Sequence, residues 1–379
     1  MHSARRDIEA RRRAALLAAL LPIVVASLAR ANETADPERI HTDAIVVDGH
    51  NDVTTWILDF EFDLGMDGAD PRKRAAELYW ILGWLLPEPR GSELRTHTDL
   101  RRLRRGGVDA QFFSIFAHPD YASEPGGANG RAHAMIDALE AQIRRHPDDL
   151  ALATYADDVR RIAGEGRIAV LMGLEGGHAI EEDLGKLRAF RERGVSYLTL
   201  TWSNSHAWAD SSDDPRQNGG LTAFGGDVVR EMNRLGMLVD VSHCSDQVFW
   251  DVIEVTRAPI MASHSALRAL VDKPRNLDDE MLRAIARNGG IVMINFGGAF
   301  IDPAKAKTSS IALDVLLHAG PSPVPLALLL DHIDHAVAIA GIDHVGLGSD
   351  FDGTHAGGNQ NRRVARGTAA ARASLLRPR

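Results

Sequence analysis

Short, continuous apolar runs recur along the chain, at residues 45–47, 110–117, 168–174, 197–201, 237–241, 259–262, 291–296 and 344–348. Each reads as a strand buried on both faces, because little that is polar alternates with the apolar positions. Longer segments lie between them in which apolar residues return every three or four positions, the spacing of one helix face: 184–193, 224–235, 246–256, 279–287 and 326–340. Strands that alternate with helices predict a parallel sheet covered on both sides. Eight such units in about 310 residues predict an α/β fold, a closed (β/α)8 TIM-like barrel, rather than two doubly wound domains. The long connections near 55–100 and 118–165 are expected to carry extra helices.

What stands at the ends of the runs points to chemistry. In a barrel of this kind the C-terminal strand ends share one mouth, so residues distant in sequence meet there. The first run ends in Asp48-Gly49-His50-Asn51-Asp52, the third in Glu175, the fifth in His243, the sixth in His264 and the eighth in Asp350. The side-chain period of a strand is two, which sends His50 and Asp52 the same way and lets them chelate one ion. Imidazole nitrogens and carboxylate oxygens suit zinc or a similar divalent ion. One histidine at a strand end is ordinary packing. A group of carboxylates and imidazoles at one mouth is not, since unpaired carboxylates repel and resist burial.

Composition narrows the picture. The 379 residues carry 43 Lys and Arg against 52 Asp and Glu, a formal charge of −9, with 45% hydrophobic and 25% charged residues. That balance excludes a chain disordered over most of its length and a basic nucleic-acid binder. A single cysteine, Cys244, excludes an internal disulfide and a Cys-based zinc finger, and it reads as a small packed residue.

The charge is unevenly spread. Residues 1–31 hold six arginines against Asp7 and Glu9, and their apolar run at 14–29, broken by Pro22 and Ser27, leads to Ala29-Arg30-Ala31. A basic start, a short apolar run and a small-x-small site predict a signal peptide and export to a periplasmic or extracellular location. Cleaved, it leaves no stable membrane insertion; uncleaved, it associates the protein with a membrane. Residues 354–379 hold six arginines and no acid, a basic atypical tail, so the stretch between the two ends carries −19.

Together these motifs resemble the membrane dipeptidase (renal dipeptidase) family, peptidase family M19. The resemblance rests on Val47-Asp48-Gly49-His50-Asn51-Asp52, Gly173-Leu174-Glu175-Gly176-Gly177-His178, Trp208-Ala209-Asp210-Ser211, Asp240-Val241-Ser242-His243, Ser263-His264-Ser265, Arg275-Asn276 and Gly348-Ser349-Asp350-Phe351-Asp352-Gly353. It spans residues 40–353. It implies a barrel with two zinc ions, His50 and Asp52 on the first, His243 and His264 on the second, and Glu175 bridging both. The general acid/base falls on Asp350 and the anchor for a substrate carboxylate on Arg275. The activity implied is hydrolysis of short peptides with a free C-terminus by a metal-bridging hydroxide, with a homodimer as the assembly it suggests.

Two departures stand out. Many family members have His after the fourth strand in a Thr-Leu-Thr-His context, where it helps hold the substrate; here Trp202 follows Thr199-Leu200-Thr201. Trp offers one indole N–H and cannot titrate, so Trp202 is expected to line an altered substrate pocket. That keeps open a related metallohydrolase acting on N-acyl amino acids, lactams or esters. His206, four residues on, reads as a loop histidine. The chain also stops 26 residues after Gly353, before the helices that close the barrel in the family. A truncated or frameshifted C-terminus, and with it an inactive metal-binding barrel, is the corresponding expectation. His332 and His335 are expected to lie away from the mouth.

Overall fold

The computed structural model describes residues 37–83, 85–124, 126–307 and 324–353. The expected signal segment at 1–31 and the tail at 354–379 lie outside the described residues. A short helix, Pro37–Asp43, belongs to the N-terminal unit that ends at Ile45.

From Val46 onward the apolar runs become the staves of a closed barrel. Its strands are β1 (Val47–Asp48), β2 (Ala110–Phe116), β3 (Ile168–Glu175) and β4 (Val195–Thr199). The second half supplies β5 (Leu238–Asp240), β6 (Ile260–Ser265), β7 (Ile291–Ile294) and β8 (Val345–Leu347). Every neighbouring pair is parallel, and β1 closes the ring by pairing with β2 through Val47 and Ala110 and with β8 through Asp48 and Leu347. The fold is thus the expected (β/α)8 barrel. The first long connection holds helices Val53–Phe60, Ala76–Leu82 and Leu100–Arg105; the second holds Gly127–Arg145, Ala156–Gly164 and an extra strand, Leu150–Leu152, beside β3.

Several helices begin where a side-chain oxygen takes up a free N–H. Ser245 accepts from Val248 N at the start of Asp246–Val255, and Asp278 from Met281 N at the start of Asp279–Asn288. Gly236 and Gly289 then end Ala223–Leu235 and Asp279–Asn288 with left-handed backbone. No described helix is long and apolar enough to cross a membrane.

Two layers of core follow from strand alternation. A large one, including Ile115, Leu174, Leu198, Val239 and Val292, fills the space between strands and helices. A smaller one, with Ala110, Phe112, Leu171, Tyr197, Met261 and Met293, clusters separately and includes Tyr197 on β4, whose hydroxyl meets His50 from β1. The polar residues sit above that plug, toward the C-terminal strand ends. Strand β6 runs on to Ser265, past the apolar run that ended at 262. The Ser-His-Ser stretch stays extended because its polar groups have partners inside the ring: Ser263 N and Oγ both donate to Asp240.

Candidate active site

His50, Glu175, His243 and His264, which approach from β1, β3, the loop after β5, and β6, converge although 214 residues separate the first from the last. His50 Nε2 lies 3.3 Å from Asp52 Oδ2 and 3.3 Å from Glu175 Oε2, so the expected His50–Asp52 pair does face one way. The other Glu175 oxygen, Oε1, lies 3.1 Å from His243 Nε2 and 3.7 Å from His264 Nε2. One carboxylate therefore spans two imidazole groups. Ser114 Oγ donates to it at 2.9 Å and fixes its plane.

Backbone conformation aims two of these residues. His243 has φ of 68° and Asp350 of 58°, left-handed values uncommon for residues with a Cβ. Such backbone strain is kept where the surrounding structure imposes it, often at functional sites. At His243 it breaks the strand alternation after Ser242. Asp350 is held by Asn295, whose Nδ2 donates to Oδ2 at 2.8 Å, and by its own N–H to His50 O at 3.1 Å.

The donor set suits a divalent cation. His50 Nε2 is buried and, despite two carboxylates nearby, hydrogen-bonds to neither among the described residues. The Nε2 atoms of His243 and His264 stand 2.9 Å apart. Two geometric clusters could each hold an ion, His50–Glu175–His264 and His50–Asp52–Asp350, all of them buried.

Electrostatics without a cation makes the same point. Burial pulls the His50 pKa down, but Tyr197, Glu175 and Asp52 outweigh it and lift it well above the ordinary imidazole value. Burial would raise Glu175, yet His50 and His243 carry it well below the usual range. His264 is driven well below the ordinary value by burial and then by His50. Asp350 is pushed up to about 8, chiefly by burial and next by the charge of Asp52. Positive charge is wanted between these groups.

A profile of the membrane dipeptidase family, peptidase family M19, matches residues 34–363. The chain belongs to this family. Solved structures agree. The probable dipeptidase PvdM from Pseudomonas aeruginosa shares 25% identity over 88% of this chain and 91% of its own, with a TM-score of 0.65. A metallo peptidase from Rhodobacter sphaeroides, solved with a phosphinate mimic of the dipeptide L-Ala-D-Ala, shares 26% over 89% and 94%, with a TM-score of 0.64. A further M19 dipeptidase shares 28% over 87% and 92%, with a TM-score of 0.62. The protein is a metal-dependent dipeptidase, a hydrolase of peptide bonds.

Other residues singled out in the sequence lie around these groups. Arg275 is buried; its Nη1 donates to Ser265 Oγ and its Nη2 to His264 O, both at 2.9 Å. Its Nε has no hydrogen-bond partner among the described residues. Trp202 packs against Phe116 at 4.8 Å and His118 at 5.1 Å between ring centroids, and reaches 6.5 Å from the His243 ring.

His206 turns back instead of reaching in: its Nε2 meets Leu200 O at 2.8 Å, and burial lowers its pKa to about 4. Cys244 is buried, within reach of Thr201 Oγ1, and burial pushes its thiol up to about 12, so it is a poor nucleophile. His335 pairs with Asp279 outside the site. His332 is placed differently from expectation. Its Nδ1 accepts from Leu267 N just past β6, because helix Leu326–Ala340 descends from the mouth end of β7.

Several residues that hold these groups in place were given no role by the sequence. Tyr197 stands in the fourth apolar run, and Gly173 and Asp240 stand as the first residues of two of the motifs, with no role assigned. Tyr197 Oη meets His50 Nδ1 at 2.7 Å, and a Cβ on Gly173 would overlap the Tyr197 ring. Asp240 accepts from Thr199 Oγ1, Ser263 Oγ and two backbone N–H groups. The motif Asp240-Val241-Ser242-His243 was the only available signal for it.

Proposed function

We propose that the protein is a two-zinc dipeptidase that hydrolyses short peptides with a free C-terminal carboxylate. The observation that carries this is Glu175, whose two oxygens face different imidazoles, His50 on one side and His243 with His264 on the other. His50 and Asp52 would hold one ion, His243 and His264 the second, with Glu175 shared. Bound there, divalent ions would polarise the scissile carbonyl and make water nucleophilic near neutral pH.

The chain's own groups do the rest. Asp350, oriented by Asn295, is placed to take the proton of the attacking water and return it to the leaving amine. Arg275 would offer its guanidinium, whose Nε makes no hydrogen bond among the described residues, to the substrate carboxylate, which would restrict hydrolysis to the C-terminal bond of a short chain. Trp202 closes one side of the pocket. Its aromatic wall with Phe116 and His118 favours a second reading, in which N-acyl amino acids, lactams or esters are also accepted. The basic, then apolar start carries the companion proposal of export, tested by the N-terminal residue of protein recovered from the exported fraction.

The test is Glu175→Gln in the full chain. Zinc content is expected to fall below two per chain and dipeptide turnover to drop at least a hundredfold. Unchanged zinc content and turnover would refute the shared-ligand site.

A further inference from the structure

We infer that two hydroxyl groups inside the barrel, Tyr197 Oη and Ser263 Oγ, are positioning residues that hold His50 and His264 in the orientation that leaves each Nε2 free for a metal. The inference rests on the reading that these two histidines bind metal.

Each hydroxyl has an acceptor-only group on its far side. Tyr197 Oη lies 3.4 Å from Gly49 O, a carbonyl that can only accept, and 2.7 Å from His50 Nδ1. With the phenol proton on Gly49 O, its oxygen accepts from His50 Nδ1–H. Ser263 Oγ donates at 2.6 Å to the Asp240 carboxylate and lies 2.7 Å from His264 Nδ1. It too can only accept from the ring. In both rings the proton is placed on Nδ1 and the lone pair on Nε2, the atom that faces the Glu175 carboxylate. The two chains of bonds run through different strands: β4 to β1 for Tyr197, β5 to β6 for Ser263.

His243 supplies the contrast. Its Nδ1 has no hydrogen-bond partner among the described residues, and its ring is aimed by left-handed backbone instead. Room for the Tyr197 arm comes from Gly173, where any Cβ would overlap the phenol ring. Tyr197 itself is fully buried, beyond reach of a substrate. A hydrogen-bonded partner behind a metal-binding histidine typically contributes 10- to 100-fold in metal affinity.

The experiment measures zinc affinity of the metal-stripped full chain by competition with a chromophoric chelator, and dipeptide turnover at saturating zinc. Tyr197→Phe and Ser263→Ala are each expected to weaken zinc binding 10- to 100-fold, with turnover largely recovered when zinc is saturating. Ser263→Thr, which keeps the hydroxyl, is expected to bind zinc like the unaltered protein. Wild-type affinity in both Tyr197→Phe and Ser263→Ala overturns the inference, as does failure of Ser263→Thr to restore binding. If Tyr197→Phe does not fold, the Ser263 pair decides. His50→Ala separates this inference from the reading beneath it: unaltered zinc binding there means the site itself is misassigned, whereas lost binding beside unaffected hydroxyl variants sinks only the positioning role.

Discussion

Replacing Arg275 by Met tests whether its guanidinium serves the substrate or the fold. Arg275 makes two hydrogen bonds to its own protein, to Ser265 Oγ and His264 O, and its Nε makes none. A two-point contact with a carboxylate adds charge-assisted bonds of about 1.5–3 kcal/mol each, of which roughly 3–4 kcal/mol survives as net transition-state stabilisation. At about 1.4 kcal/mol per factor of ten, kcat/KM on a dipeptide should fall 10²- to 10³-fold. The assay compares each dipeptide with its C-terminal amide in both proteins. The unaltered enzyme should already be slow on the amide, and Arg275→Met should be no slower there. Arg275→Lys keeps the charge without the fork and should fall between the two on the free acid. Thermal unfolding controls for the two lost protein bonds. Equal losses on acid and amide would refute the carboxylate anchor and leave Arg275 as a support for His264.

Asp350→Asn should lower kcat by 10²- to 10⁴-fold with KM little changed, measured at saturating zinc. The same substitution has a stability signature in metal-stripped protein. A carboxyl raised to about 8 in the fold, against an ordinary value of 3.8, favours the folded state while protonated, so stability drains away as pH rises from about 4 to about 8. Denaturant titrations should show Asp350→Asn gaining on the unaltered protein across that window and then running parallel; a constant gap would contradict the raised pKa. Trp202→His should increase dipeptide kcat about tenfold or more by restoring a hydrogen-bonding group near the reacting carbonyl, given that one such donor is worth roughly 10²–10³. An unaltered rate would place Trp202 outside the pocket. Gly173→Ala forces a methyl into the Tyr197 ring and should destabilise the fold by about 3 kcal/mol or more, read as a lowered melting temperature.

The barrel was legible because its apolar runs and helix periods repeat, and periodicity survives without any knowledge of which strand neighbours which. The helix expected at 326–340 appears with those bounds. The ligand candidates were legible because strand ends share a mouth, a rule about direction alone. What escaped depends on register and on pairs across the ring. Tyr197 looks like any aromatic in a buried strand until β4 and β1 are seen facing each other across the interior. His243 would be misdirected by simple alternation, and only its left-handed backbone returns it to Glu175. His206 sat near enough in sequence to compensate for Trp202, yet its bond to Leu200 O commits it elsewhere. For Arg275 the sequence left open a loop arginine in a salt bridge; its burial beside His264 is a tertiary fact.

The seam where β8 meets β1 has a bearing on synthesis. Asp48 pairs with Leu347, Asn51 bridges to Phe351, and His50 O receives Asp350 N, so the two sides of the site at this point come from opposite ends of the barrel sequence. A nascent chain emerging from the ribosome can present His50 and Asp52 early, but it has no Asp350 to set beside them until almost the whole barrel has been translated. Contacts of such long sequence separation form late and slowly. The proposed constellation is therefore a record of ring closure: a chain that misregisters its last strand would carry each of these residues and still not bring them together.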